Sequence, residues 1–324
     1  MQSESPTIQR AAELLQKLRA EIAKAVVGQD AVVEQVVVSL ICSGHVLIEG
    51  MPGLGKTLLV RALAQALSLD YGRVQFTPDL MPSDVTGHAV LDPNTRELRV
   101  VRGPVFTNIL LADEINRAPA KTQSSLLELM QEYQVTLEGQ TLALPRPFMV
   151  LATQNPIETE GTYALPEAQL DRFLLKVLIN YPSETEEIAV IRRATGNSVG
   201  DQLPLGDVKP CLNEAAVLAL QQIVAHQRVD DSVVEYAVRI ARASRDWPGI
   251  ALGCGSRGAI ALIRAARAQA LIAAREFVTP DDVKRMVAPA LRHRIALAPD
   301  TQLEGRQVDD ALAEVAASVA APRS

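Results

Sequence analysis

The octapeptide Gly50-Met51-Pro52-Gly53-Leu54-Gly55-Lys56-Thr57 constrains this chain more than any other feature. It fits G-x-x-x-x-G-K-T, a loop whose glycines let the backbone wrap a phosphate group with N–H groups pointing inward. The pattern carries that meaning only between a buried strand and a helix, and both flanks are present. His45–Glu49 is a short apolar run, and Lys56–Leu67 has helical spacing. Such a loop predicts an α/β sheet with the loop at the carboxyl end of one strand.

The first half of the chain agrees. Asn108–Asp113, Met149–Thr153 and Leu174–Ile179 are further short apolar runs between helical stretches. They predict strands of a parallel sheet buried on both faces. Ile8, Leu14, Leu15, Leu18, Ile22 and Val26 recur at mostly three- and four-residue steps, which predicts an amphipathic helix over 8–26. Val27-Gly28-Gln29-Asp30 interrupts it, and Asp30 is placed to cap a second helix over 31–42. Two stretches, near 87–105 and 134–145, read instead as β-hairpins. The first turns at Asp92-Pro93-Asn94-Thr95, the second at Glu138-Gly139-Gln140.

After Tyr181-Pro182-Ser183 the strand patterns stop, and Ala-rich amphipathic helices follow. Thr279-Pro280-Asp281-Asp282 is a helix start, with a Thr cap, Pro at the first position and acids in the first turn. A domain boundary is therefore expected between residues 181 and 182.

Composition narrows the function classes. The chain has 324 residues, 48% of them hydrophobic, enough for a sizeable core without staples. Only 3% are aromatic, so that core must be aliphatic. A net charge of -6 argues against a nucleic-acid partner, since phosphate contacts need clustered Lys and Arg. Cys42, Cys211 and Cys254 have no zinc-ligand spacing and read as free thiols in a reducing compartment. The N-terminus lacks the apolar stretch of a signal peptide, and no run of 18 apolar residues occurs. A soluble cytoplasmic protein without a transmembrane segment is expected.

Asp113-Glu114 closes the apolar run Ile109–Ala112. An apolar strand ending in two acids, downstream of a phosphate loop, suits nucleotide hydrolysis. Asp113 would hold Mg²⁺ through its water shell, together with the Thr57 hydroxyl, while Glu114 would orient and deprotonate the attacking water. The expected nucleotide-binding set is Gly50, Pro52, Gly53, Leu54, Gly55, Lys56, Thr57 and Leu58, with Lys56 reaching the β- and γ-phosphates.

With these motifs in place, the sequence resembles the MoxR family of AAA+ ATPases, relatives of the magnesium chelatase ATPase subunits, over almost its whole length. The resemblance is carried by Val26-Val27-Gly28-Gln29, the phosphate loop, Asp113-Glu114-Ile115-Asn116-Arg117-Ala118, Ala152-Thr153-Gln154-Asn155-Pro156, Pro166–Phe173 and Gly255-Ser256-Arg257. It implies a three-layer αβα core, 1–181, with a five-stranded parallel sheet, and an all-helical lid, 182–324, with ATP between them. The hairpins resemble the insertions that mark this clade and are candidate substrate-contacting elements.

The resemblance also implies roles for single residues. Val27 and Gly28 match the adenine-contacting segment; a plain helix–helix turn is the local alternative. Asn155 resembles sensor 1, an amide that positions the water; a turn Asn before Pro156 is the local alternative. Arg172 resembles an arginine finger acting on the nucleotide of a neighbouring subunit, against an Asp171–Arg172 surface pair. Arg257, following Ser256 as cap, resembles sensor 2, reaching from the lid to the γ-phosphate, against a solvated Arg at a helix start. Arg117 is placed to orient Glu114 or to touch a neighbour. A hexameric ring and a partner with a von Willebrand factor A domain are implied, in assembly or maturation of protein complexes, including metal cofactor insertion. The alternative is a nucleic-acid motor related to replicative helicases. A GTPase is disfavoured because no Asn-Lys-x-Asp motif occurs.

Overall fold

In the computed structural model, the structure describes residues 6–91, 98–156, 161–196 and 205–322. Helices α1 (Pro6–Ala23) and α2 (Asp30–Ile41) lead into strand β1 (Val46–Gly50) and α3 (Lys56–Ala66). Then come β2 (Tyr71–Gln75), the short α4 (Pro82–Thr86), β3 (Gly87–Leu91), β4 (Leu98–Arg102) and β5 (Ile109–Asp113). The first half closes with α5 (Ala120–Glu132), β6 (Gln134–Leu137), β7 (Gln140–Ala143), β8 (Met149–Gln154), α6 (Glu167–Leu170) and β9 (Leu175–Ile179).

The central sheet has five strands in the order β2-β5-β8-β1-β9, and every pair is parallel. Alternate residues of the inner strands β1, β5 and β8 enter different cores. Val46, Ile48, Leu111, Leu151 and Val177 join α1, α2 and α3 on one face. Leu47, Leu110, Ala112, Val150 and Ala152 join α5, Phe76 and Phe173 on the other. Burial on both faces removes the polar alternation of a half-exposed strand, which is why these segments read as continuous apolar runs.

Strand β2 has no such run. Its sequence, Tyr-Gly-Arg-Val-Gln, holds one buried residue, Val74, and it lies at one sheet edge, whereas α2 packs on β9 at the other. Both expected hairpins form. β3 pairs antiparallel with β4 from Gly87↔Arg102 to Leu91↔Leu98, and its expected turn at Asp92–Thr95 lies outside the described residues. β6 pairs with β7 across Glu138 and Gly139, both at positive φ (47° and 78°), as a two-residue primed turn requires. The second strand thus begins at Gln140, two residues before the apolar pattern at Leu142–Leu144.

The rest is mainly helical: α7 (Glu184–Gly196), α8 (Glu214–Ala225), α9 (Asp231–Ala243), α10 (Ser256–Ile272), α11 (Pro280–Leu291), α12 (Pro299–Leu303) and α13 (Val308–Ser318). A small ladder, β10 (Ile250–Leu252) with β11 (Ala296–Leu297), ties two of its loops. Helix α10 runs through the middle, burying Ala259, Ala261, Ala265, Ala266, Ala268 and Ala270. Small side chains let neighbouring helices close on it. Its core is continuous with that of α1–α3, so helical region and sheet share one apolar interior.

Two local expectations need correction. Asp30 is the first residue of α2 rather than its cap; Gln29 holds that place without a side-chain bond. Ser256 likewise sits inside α10, behind Gly255. His293 is buried because the chain after α11 folds back under the sheet, with Nε2 3.1 Å from the Phe173 carbonyl. The start of α11 matches its sequence: the Asp282 carboxylate accepts from the Thr279 N–H and hydroxyl, both at 2.8 Å. Cys42, Cys211 and Cys254 are free thiols, and no helix among the described residues is long and apolar enough to cross a membrane.

Candidate active site

Gly50 ends β1 and Lys56 begins α3, so the loop between them crowns the carboxyl edge of the sheet. Gly53 and Gly55 take φ of 82° and 76°, left-handed values that side chains resist. Nothing lies within 4 Å of where a Cβ would project from either, leaving an open cradle over the loop. Gly50 is glycine for another reason: a Cβ there would meet the Ile179 carbonyl oxygen at 2.8 Å. The Lys56 ammonium donates to the Gly50 carbonyl at 2.8 Å, which folds its stem back across the cradle. The free N–H groups and dipole at the start of α3 add a favourable field for an anion.

Asp113 ends β5 at the same edge of the sheet, with β8 between it and β1, and is buried. Its Oδ1 accepts from the Thr153 hydroxyl at 2.6 Å, and its Oδ2 accepts from Arg73 at 2.7 Å. Glu114 leaves the strand in the left-handed region, φ 57° and ψ 49°, a conformation costing about 1–3 kcal/mol. Its backbone N–H donates to the Thr153 hydroxyl at 2.8 Å. Its carboxylate accepts from Gln75 at 2.7 Å and pairs with Arg117 at 3.0 Å, so Arg117 meets the first of its two expected contacts. Asn155, just past β8, is buried at the same edge. The Val27-Gly28 turn reaches this edge too. Gly28, at φ 72°, packs so closely on Glu186 that a Cβ would lie 2.5 Å from its carboxyl carbon, and Gln29 donates to the Asn180 carbonyl at 3.1 Å.

Arg73, Gln75 and Thr153 had been given no role. The first two alternate along β2 and so face one side of the sheet, a signal hidden because that strand lacks an apolar run. Thr153 was detectable: a hydroxyl closing an otherwise apolar buried strand needs a partner.

Arg172 and Arg257 lie elsewhere. His45 precedes β1 and Leu174 precedes β9, and the Leu174 N–H donates to the His45 carbonyl at 2.8 Å. The turn bearing Arg172 therefore sits at the amino edge of the sheet. A strand rising ~3.3 Å per residue puts this edge ~15 Å from the phosphate loop. There, Asp171, Arg172, Arg257, Arg264 and Arg294 line a cavity of about 360 Å³. Arg172 donates to the Leu127 carbonyl at 2.5 Å, and Arg257 pairs with Asp171 at 3.5 Å. The surface pair considered for Arg172 gives way to a different one, since the Asp171 carboxylate is taken by Arg257 and Arg294.

Arg257, expected to reach a γ-phosphate from the helical region, thus lies at the edge opposite the phosphate loop of its own chain. The helical region is anchored at the amino edge. Arg292 donates to the Lys176 carbonyl at 3.2 Å, Arg264 to the Cys42 carbonyl, and Arg294 to the Phe173 carbonyl at 2.6 Å. Those bonds hold the start of α10 beside Arg172.

Known proteins share this arrangement of sequence and fold. Residues 45–175 match the ATPase family associated with various cellular activities (AAA), and residues 242–320 match the AAA lid domain. The chain is 44% identical to the uncharacterized protein YeaC of Bacillus subtilis over 95% of both chains. It is 42% identical to Chaperone MoxR1 of Mycobacterium tuberculosis, over 94% of this chain and 81% of that one. A crystal structure from Cytophaga hutchinsonii, described as a candidate ATPase, superposes with a TM-score of 0.88 at 37% identity, covering 98% of this chain and 97% of that one. Likeness at this level runs through both the sheet and the helical region, and the chain belongs to the MoxR family of AAA+ ATPases.

Proposed function

We propose that this protein binds Mg-ATP at Gly50–Thr57 and hydrolyses it in a ring of identical subunits, each lending Arg172 and Arg257 to the nucleotide of its neighbour. One observation carries the reading: phosphate loop and carboxylates occupy one edge of the sheet, and the arginine cavity occupies the other. Copies stacked head to tail bring the two half-sites together, and a rotation that closes makes a ring. Six subunits are expected from the family resemblance.

The residues suit the substrate. The open cradle at Gly53 and Gly55, with the start of α3 behind it, fits a polyphosphate. Lys56 would exchange the Gly50 carbonyl for phosphate oxygens. Thr57 and Asp113 would hold the metal; Asp113 Oδ1 keeps an acceptor site beyond its bond from Thr153, whereas Oδ2 would give up one of the two bonds it accepts from Arg73. When bound, Mg²⁺ neutralises charge on the phosphate oxygens. Glu114 would accept the proton of the attacking water, held in place by Arg117 and Gln75, with Asn155 as a second positioning group. Arg172 and Arg257 would spread positive charge over the transferring phosphoryl group, an effect worth ~10³–10⁵ in rate in other nucleotidases.

In the cell, the protein is read as a cytoplasmic, ATP-driven chaperone that remodels protein complexes with a partner bearing a von Willebrand factor A domain. Metal cofactor insertion is one such task. The division into core and lid at 181/182 and the substrate-contacting role of the hairpins belong to the same reading. The relative named Chaperone MoxR1 supports it, as do the exposed apolar residues Val90, Leu91, Leu98 and Val101 on the first hairpin.

The test is ATP turnover against protein concentration, with mass followed by light scattering. Glu114→Gln and Arg172→Ala should each bind ATP and turn it over poorly, and mixing the two should restore part of the rate. A monomer at full rate, with Arg172→Ala silent, would remove the ring and the shared site.

A further inference from the structure

The turn that presents Arg172 is gripped by a buried arginine that no step above uses. Arg294 follows α11, and its side chain is 5% exposed. Its Nε donates to Asp171 Oδ1 at 2.7 Å, and its Nη2 donates to the carbonyls of Asp171 and Phe173 at 3.2 and 2.6 Å. Its Nη1 donates to the Leu174 carbonyl at 3.2 Å and to that of Ala290. One guanidinium thus ties three backbone oxygens of the turn before β9, at 171, 173 and 174, to the end of α11.

The residue skipped is Arg172, whose side chain leaves the turn in the other direction, toward the Leu127 carbonyl. Asp171 has a second duty. While Oδ1 is held by Arg294, Oδ2 faces Arg257 at 3.5 Å. It is also the single carboxylate lining a cavity that four guanidinium groups line. Without it, like charges would push Arg257 away from Arg172.

We propose that Arg294 is a positioning residue for the arginine cavity: through Asp171 it sets Arg257, and through the backbone of the turn it sets Arg172. The proposal rests on the reading that both arginines serve a neighbouring subunit. Arg294 itself touches no substrate. Its planar fork reaches several acceptors in fixed directions, which a lysine ammonium, a single point charge, does not reproduce. A lid arginine and a core aspartate thereby place both catalytic cations from one clasp, so any shift of the lid against the sheet moves them together.

The experiment uses full-length Arg294→Lys and Asp171→Asn. Asn at 171 keeps an acceptor for Arg294 and removes the charge that faces Arg257, so it carries the test should Arg294→Lys fail to fold. Each variant should lower kcat about 10–100-fold, the scale of a displacement near 1 Å at a catalytic group. KM and affinity for a non-hydrolysable ATP analogue should stay within ~2-fold, and light scattering should show the wild-type assembly. Mixing either variant with Glu114→Gln, whose arginine cavity is intact, should restore turnover at sites where the variant's own phosphate loop meets a sound neighbour.

Three results would overturn the proposal. One is wild-type kcat in both variants. Another is a rise in KM at constant kcat. The third is no recovery in the mixture while Arg172→Ala mixed with Glu114→Gln does recover. If that control mixture also fails, the shared-site reading itself is wrong and the clasp falls with it.

Discussion

The Thr153 hydroxyl donates to the Asp113 carboxylate at 2.6 Å and, on its other side, accepts the Glu114 N–H at 2.8 Å. One side chain on β8 therefore ties together both expected carboxylate residues at the end of β5. It orients the aspartate and holds the strained backbone that aims the glutamate.

Thr153→Val keeps shape and removes the hydroxyl. It leaves a buried carboxylate oxygen and a backbone N–H each short of a partner, which costs about 1–3 kcal/mol for such groups. Urea unfolding should show a loss of that size. ATP turnover should fall by more than stability accounts for, since Glu114 is freed to leave its left-handed conformation. Wild-type turnover in a folded Thr153→Val protein would show that the hydroxyl is not needed for aim.

Two glycines of the phosphate loop should fail in different ways. Ala at 50 meets the Ile179 carbonyl oxygen at 2.8 Å, a backbone atom of the neighbouring strand, so Gly50→Ala should destabilise the sheet. Ala at 53 meets nothing within 4 Å but sits at φ 82° and points into the open cradle. Gly53→Ala should cost ~1–2 kcal/mol of stability and should weaken ATP binding well beyond that. Thermal melts with and without ATP separate the two. Equal ATP-induced stabilisation of Gly53→Ala and wild type would contradict a phosphate cradle.

The contrast between these positions also marks what was legible in the sequence. Elements buried on both faces were: β1, β5 and β8 each present an apolar run, and the phosphate loop and Asp113-Glu114 follow directly from two of them. Of the two edge strands, β9 buries Leu175, Val177 and Ile179 and so keeps an apolar run, whereas β2 buries Val74 alone and was not legible, and with it went Arg73 and Gln75, which contact both carboxylates. The hairpin at 134–143 was visible from its Glu138-Gly139 turn. The place of Arg257 was not, since it depends on where the helical region docks. That docking is made by Arg292, Arg294 and Arg264 donating to backbone carbonyls, and carbonyls leave no trace in residue identity.

His45 makes stability depend on pH. It is buried beneath the sheet, with Nδ1 accepting from the Val150 N–H at 3.0 Å and Nε2 donating to the Met130 carbonyl at 2.9 Å. Burial pushes its pKa down from 6.5 to about 4. The unfolded chain therefore binds a proton more readily than the folded one between those values. The contribution is fully present above pH 6.5 and is lost as pH falls toward 4. Its ceiling is about 3 kcal/mol. Burial lowers His293 in the same direction, which adds to the effect. Urea midpoints should drop between pH 7.5 and 5, and the drop should shrink in His45→Gln; an unchanged drop would assign the pH response to other groups.

Arg73 gives the last prediction. Its guanidinium pairs with Asp113 Oδ2 at 2.7 Å while remaining about half exposed. The pair offsets the burial of Asp113 when no cation is near. A divalent cation held at the same carboxylate meets that positive charge as a competitor. Replacing it in Arg73→Gln removes the repulsion and leaves an amide that still donates to the carboxylate. The Mg²⁺ concentration for half-maximal turnover should fall roughly 3–10-fold, as expected for a unit charge several ångströms from a divalent ion in a partly solvated site. The difference should narrow at high salt, where exposed charges are screened. A rise in the Mg²⁺ requirement would mean that Arg73 mainly aims Asp113, and that the edge strand supports the metal site instead of guarding it.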